Sequence, residues 1–430
     1  MPTVSYVQLV RENRNFRLYW GGQIVSQLGD WFSIVTVQVL LLKYTGAATS
    51  IALFLVAQML PLFLLGPVAG VLVDRLPRKA VMIGADVARA LIALGLLGLR
   101  GPETVWVAFA CIAGISTFSA FFEPARMAVL PNITSDEELV TANALSSVTW
   151  SILLTSGALV GGLVSRFFGA ETAFVLNSLS FVGSALFLVR LRVPESEHKL
   201  EHARGIGELI AGFRYVREHS QILATLTAKL GWGLAGGIQG LLPIYAQKRF
   251  PLPNDPNGEL SLGVLLAAGG VGTAMGPVLA RRFTGREIPR IRWAIAVSFV
   301  MGGIYYACMA AAPNLSIAAL FLLLARTHGA VVWVFSTVLL QMLVEDRYRG
   351  RVFAAEASLF TATMMLSNLG ATRALDLRWA GVPQVTFAMG VISLVVGLFW
   401  IARLARAPIA APETATPRPP SEPGREEAAE

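Results

Sequence analysis

Asp30, Lys229, Arg326 and His328 are titratable side chains inside long apolar runs, where water is scarce. A carboxylate held there can take up and release a proton, and an imidazole can titrate near neutral pH. An arginine keeps its charge and needs an acid, an anion or water beside it. These residue types read as candidates for coupling proton movement to solute binding. Helix packing with local hydrogen bonds is the plain alternative for each, and Lys229 can also snorkel to water. Trp31, Trp150, Trp232 and Trp333 lie within apolar runs as well. They suit the wall of an aromatic cavity for an amphipathic molecule, or ordinary packing.

Other chemistry is poorly supplied. Cys111 and Cys308 both lie in apolar runs, so neither a disulfide framework nor a CxxC site is available. No P-loop pattern occurs, and Gly270-Val271-Gly272 with Gly276 has no strand before it to make a dinucleotide site. His198, Glu201 and His202 have the i,i+4 spacing of metal ligands, yet a solvated helix face explains them. No Ser/His/Asp or Cys/His arrangement stands out among the 4 histidines. The expectation is no enzyme, no metal and no cofactor.

The elements that hold these residues follow from composition. Hydrophobic residues make up 55% of the 430 and charged residues only 14%, against about 25% charged in ordinary globular chains. Mean hydropathy is +0.61. So much apolar surface cannot be hidden from water in a soluble fold of this length, so lipid must be the solvent for much of it. The net charge of +8 would suit nucleic acid if the basic residues formed a stripe. They lie instead in short loops between apolar runs, and no nucleic-acid partner is expected.

A spanning helix needs about 20 mainly apolar residues. Such runs fall near 18–42, 49–73, 80–99, 104–125, 139–163, 171–190, 221–246, 260–282, 291–312, 314–340, 352–374 and 382–404. The first follows Arg11, Arg14 and Arg17 but is too long for a signal peptide, and reads as a retained helix. The expected fold is therefore an all-α integral membrane protein with twelve transmembrane helices in two six-helix bundles. Its expected parts are 1–190, a linker at 191–220, a second bundle at 221–406 and a disordered, proline-rich tail at 407–430. Most of the 35 Lys and Arg residues fall in the loops and tails on one side, which places both termini in the cytoplasm. Asp30, about twelve residues into the first helix, would then lie about 18 Å deep.

Internal repetition supports two related halves. Gly66-Pro67-Val68 closes the second run and Gly276-Pro277-Val278 closes the eighth, each before a basic loop. Gln27-Leu28-Gly29 is echoed by Lys229-Leu230-Gly231. Parallel repeats of this kind enclose a mid-membrane cavity that opens to alternate sides.

At this point the chain resembles the major facilitator superfamily. GPVAGVLVDRLPRK at 66–79 matches that family's loop after the second helix, with Gly70, Asp74, Arg75, Arg78 and Lys79 at its fixed positions. FRLYWGGQIVSQLGDW (16–31), EPARMAVLPNITSDEELVTANAL (123–145) and RYRGRVFAAEASL (347–359) are similar to the branch of enterobactin exporters and macrolide efflux proteins. Two departures stand out. Thr284 occupies the second-half position of Asp74, and the helix-5 antiporter element reads Gly157-Ala158-Leu159-Val160-Gly161-Gly162, without its proline.

The resemblance implies a cytoplasmic gate in which Asp74 faces the start of helix 11. Arg75 and Arg78 would hold acids such as Asp86 or Glu123, or lipid headgroups, and Arg126 of the second stretch belongs to the same gate. Because equivalent helices of the two halves face each other in this family, an Asp30–Lys229 pair across the cavity is also expected. The implied function is export of a small amphipathic molecule, such as a drug, a macrolide-like compound or a siderophore, across the inner membrane by proton antiport. The protein would work as a monomer, with the bilayer, protons and the solute as partners. An importer or facilitator is the alternative reading, followed by a membrane sensor or enzyme.

Overall fold

The computed structural model describes residues 4–193, 214–285 and 287–406. Most of the linker, with His198, Glu201 and His202, and the tail at 407–430 lie outside the described residues. What is described is helical, with one isolated bridge between Leu252 and Asp255. The first half holds α1 (Tyr6–Glu12), α2 (Arg14–Thr45), α3 (Thr49–Arg75), α4 (Arg78–Gly95), α5 (Val105–Ile133) and α6 (Asp136–Arg190). The second half holds α7 (Ser220–Leu234), α8 (Ile238–Ile244), α9 (Glu259–Thr284), α10 (Ile288–Ala310), α11 (Leu315–Leu343), α12 (Asp346–Asp376) and α13 (Val382–Arg406).

Among the described residues, 10 helices are long and apolar enough to cross a bilayer. The other two expected spans take different forms. α6 is 55 residues long, about 80 Å if straight, far more than a bilayer core. Gly169 interrupts it with φ 85° and ψ 166°, a conformation that glycine adopts without a Cβ clash. Contacts with α2 show the result. Trp20 donates to Thr149 at 2.8 Å and Trp31 packs on Gly157, so the first leg runs parallel to α2. Gly22 meets Ser184 and Gly29 meets Ser180, so the second leg returns antiparallel to it. The remaining span is a segmented helical path: α7, a 3-10 turn at Ala235–Gly237, α8 and a π-turn at Tyr245–Arg249.

Polar caps set the helix ends at both faces. Asn13 caps α2 by accepting from Phe16 N at 2.8 Å, and its amide donates to Ile133 O and Glu138 Oε2. Glu138 closes a capping box with Ser135 at the start of α6. One side chain thus ties the α1–α2 corner to the α5–α6 corner. At the other face, Asp255 accepts from Glu259 N, Leu260 N and Ser261 N to start α9.

The apolar core is divided unevenly. Near the loops that are poorer in basic residues (the far end), one core joins both halves and includes Leu41, Ile51 and Phe54 with Leu241, Tyr245 and Leu322. At the basic end the halves have separate cores. Phe16, Tyr19, Met82, Phe122 and Val129 form one. Ile291, Phe299, Val331, Leu339 and Trp400 form another in the second half, with a smaller cluster around Ile222 and Leu340. Two bundles fused at the far end and parted at the basic end leave a cleft between them.

The two halves also meet along α6 and α9. A Cβ on Gly162 would stand 2.5 Å from the carbonyl oxygen of Glu259, and one on Gly270 2.5 Å from Thr155 Oγ1. Small residues allow this backbone approach. The Gly157–Gly162 stretch is therefore packing surface, with Trp31 lying on Gly157 and Gly161.

Candidate functional site: a central cavity

A cavity of about 660 Å³ lies at the apex of the cleft. Leu242 and Leu265 form its floor beside the shared core, and Gly269, Gly270 and Thr273 of α9 leave it room. Trp31, Trp150, Trp232 and Trp333 all stand on its wall, two from each half. Trp232, Trp333 and Phe360 form a three-ring cluster with centroids 5.1 to 5.3 Å apart.

Arg326 of α11 reaches the same wall and donates to the Gln239 side chain on α8. Gln239 is placed by the break in the α7–α8 path. There Gly237 N donates to Ser367 Oγ at 3.0 Å, Gly240 N donates to Asn368 Oδ1 at 2.7 Å, and Ser367 donates to Leu234 O. Interrupted backbone is tolerated at membrane depth when a neighbouring helix satisfies it in this way.

Lys229 is buried below the aromatic cluster. Its Nζ lies 2.9 Å from Glu356 Oε1, donates to Thr337 Oγ1 at 3.0 Å and sits 3.4 Å from the centre of the Trp333 ring. This corrects the expected Asp30–Lys229 pair, because the acid comes from α12 of the same half. Asp30 is half-buried and makes no hydrogen bond or ion pair among the described residues. The charges that act on it are Arg89, Asp86 and Glu123 of its own half. It is absent from the cavity wall, where its neighbour Trp31 stands. His328 also faces away, with its ring on Tyr305 at 5.6 Å and Nδ1 3.5 Å from Ser298 Oγ.

The expected gate acids are committed elsewhere. Asp86 is fully buried and pairs with Arg89, whose guanidinium lies between the rings of Phe122 and Phe181 at 4.2 and 4.6 Å. Glu123 pairs with Arg126 at 2.7 Å, and Arg126 also donates to Tyr19 Oη at 3.1 Å. Neither acid binds Arg75 or Arg78. Arg78 instead donates to Ala128 O at 2.9 Å, and Lys79 donates to Val189 O and Leu191 O at 2.8 Å. Arg75 is exposed at the end of α3, and Gly70 has open space around its Cα. The side chain of Asp74 lies outside the described positions.

Sequence reading missed Gln239, Glu356, Arg89 and Asp376. The last accepts from Ala48 N at 2.7 Å and Thr49 N at 2.8 Å, joining α12 to the start of α3 across the halves at the far end. The i,i+3 spacing of Asp86 with Arg89, and of Glu123 with Arg126, was a signal for those local pairs.

A multi-pass helical bundle with a cavity built from both of its halves is the architecture of a membrane transporter. The chain belongs to the Major Facilitator Superfamily, whose family model matches residues 19–368. It is 26% identical over 357 residues to a putative bacilysin exporter, BacE, of Bacillus subtilis (strain 168), which covers 81% of this chain and 86% of that one. It is 26% identical over 370 residues to macrolide efflux protein A of Streptococcus pyogenes, covering 83% and 89% of the two chains. Its fold matches the crystal structure of a bacterial homologue of the human lysosomal transporter Spinster, in an inward-facing and unoccupied conformation. That match has a TM-score of 0.70 at 14% identity and covers 91% of this chain and 97% of the other.

Proposed function

We propose that the protein exports a small amphipathic molecule across the inner membrane by alternating access, coupled to inward proton flow. The observation that carries this reading is the cavity at the apex of a cleft whose two walls have separate apolar cores at the basic end. With the basic loops in the cytoplasm, the cleft opens inward and a solute loads from the cytoplasm or inner leaflet. Exporter relatives that match over most of the chain support that direction.

Rocking would then part the shared core and the Asp376 contact at the far end while the basic ends close. The α3–α4 corner, with Gly70, Asp74, Arg75, Arg78 and Lys79, would meet the start of α12 in the closed state. Asp30 is the proposed proton carrier, since its carboxylate is half-buried and unpaired among the described residues. The two bundles at 1–190 and 221–406, joined by the linker, would move as the rocking units of a monomer. The proton gradient supplies the energy, with no cofactor.

The test is a fluorescent ΔpH probe in respiring everted vesicles, with macrolides, cationic dyes and catecholates added in turn. Dequenching by one compound in wild type, absent in Asp30→Asn, is the expected result. No response to any compound, with the protein present in the membrane, would sink the broad efflux reading.

A further inference from the structure

Among the described residues, Arg326 is the only ionisable side chain on the wall of the 660 Å³ cavity. A guanidinium carries five N–H donors, and one of them is used by Gln239. Among the described residues no carboxylate forms an ion pair with it. Three acids of its own half are engaged elsewhere: Glu356 with Lys229, Asp255 at the start of α9, and Asp376 at the start of α3. A permanent charge at this depth is costly unless water or a counter-ion meets it. The remaining donors of Arg326 are thus left to meet water or an anion entering from the cavity.

The aromatic cluster beside it does not suit a cation. The face of Trp333 is already covered by Lys229 Nζ at 3.4 Å, so its cation–π position is filled from within the protein. Trp232 and Phe360 remain as apolar ring surface near Arg326.

Taking the cavity as the solute site proposed above, we infer that the solute is an amphipathic anion. Its carboxylate-type oxyanion sits on Arg326 and Gln239, and its apolar body lies against Trp232 and Phe360.

The test uses equilibrium binding to the purified full chain in detergent, read by energy transfer from tryptophan to a dansyl probe. Dansyl-leucine carries the carboxylate, dansyl-leucinamide has the same body without the charge, and dansylcadaverine carries an amine. Expected is at least about tenfold tighter binding of the acid than of the amide, the usual scale for a hydrogen-bonded charge, with the amine weakest. Arg326→Gln should abolish that preference and Arg326→Lys should keep most of it. Equal binding of acid and amide by wild type, no binding of the acid, or a preference that survives in Arg326→Gln overturns the inference. The wild-type comparison needs no variant to fold. Binding is read without a gradient, so a failure of the export reading would show separately, as vesicles that move no solute while acid and amide are still told apart.

Discussion

Lys229 on α7 and Glu356 on α12 form a buried ion pair at 2.9 Å, roofed by the Trp333 ring. The pair joins two helices that line the cleft, directly beneath the aromatic wall of the cavity. Removing one partner strands the other charge in an apolar setting, at a cost of about 3 kcal/mol or more. Lys229→Met and Glu356→Leu should each lower the unfolding midpoint sharply, whereas the double variant should recover most of the loss. Thermal unfolding of the purified proteins checks this. A double variant as unstable as the sum of the singles would show that the two charges do not depend on each other.

Asp376 closes the far end from the opposite half by accepting two backbone N–H groups of the α3 start. Hydrogen bonds to a charged acceptor contribute about 1.5–3 kcal/mol each. Asp376→Ala should therefore shift the population toward opening at that end. With Cys111 and Cys308 replaced, a cysteine at Leu242 on the cavity floor should react several-fold faster with an impermeant maleimide added from the far side. An unchanged labelling rate would show that the contact does not hold this end shut.

The carboxylate of Asp30 has no hydrogen-bonding partner among the described residues, and the cation that acts on it, Arg89, is already paired with Asp86. If Asp30 carries the coupled proton, Asp30→Asn should bind solute with little change in affinity but release no proton on binding. Asp30→Glu should keep partial release. Titration of the purified protein in weak buffer, followed with a pH dye, reads the proton directly. Full proton release from Asp30→Asn would move the coupling role to another group, with Glu356 the next to test.

The fold was legible because lipid imposes long apolar runs, and the Gly-Pro-Val repeat in α3 and α9 marks the two halves. The four tryptophans inside spans were read as cavity wall or as ordinary packing, and all four stand on the wall. The partners were not legible. Lys229 and Glu356 are 127 positions apart, and only the relative rotation of α7 and α12 brings them together. Gln239 reads as one polar residue in an apolar run until the 3-10 turn at Ala235–Gly237 aims it at Arg326. Asp86 and Glu123 were matched to arginines of the gate loop, although each has an arginine one helical turn away. Local i,i+3 geometry won over the distant pairing because it costs no chain ordering beyond the helix itself.

Gly162 and Gly70 should respond in opposite ways to the same enlargement. A Cβ at Gly162 meets the carbonyl oxygen of Glu259 at 2.5 Å, so valine there must push α6 and α9 apart. Overpacking of this kind costs about 1–3 kcal/mol, and Gly162→Val should lower thermal stability and transport together. Gly70 has nothing within 4 Å of its Cβ position, so Gly70→Val should leave the unfolding midpoint of the purified protein unchanged. If the basic ends close on the α3–α4 corner near Gly70 during the cycle, the added methyl groups will meet the start of α12 only in that state. Transport by Gly70→Val should then fall several-fold while solute binding to the open state is kept. Wild-type transport in Gly70→Val would place the closing contact away from this corner.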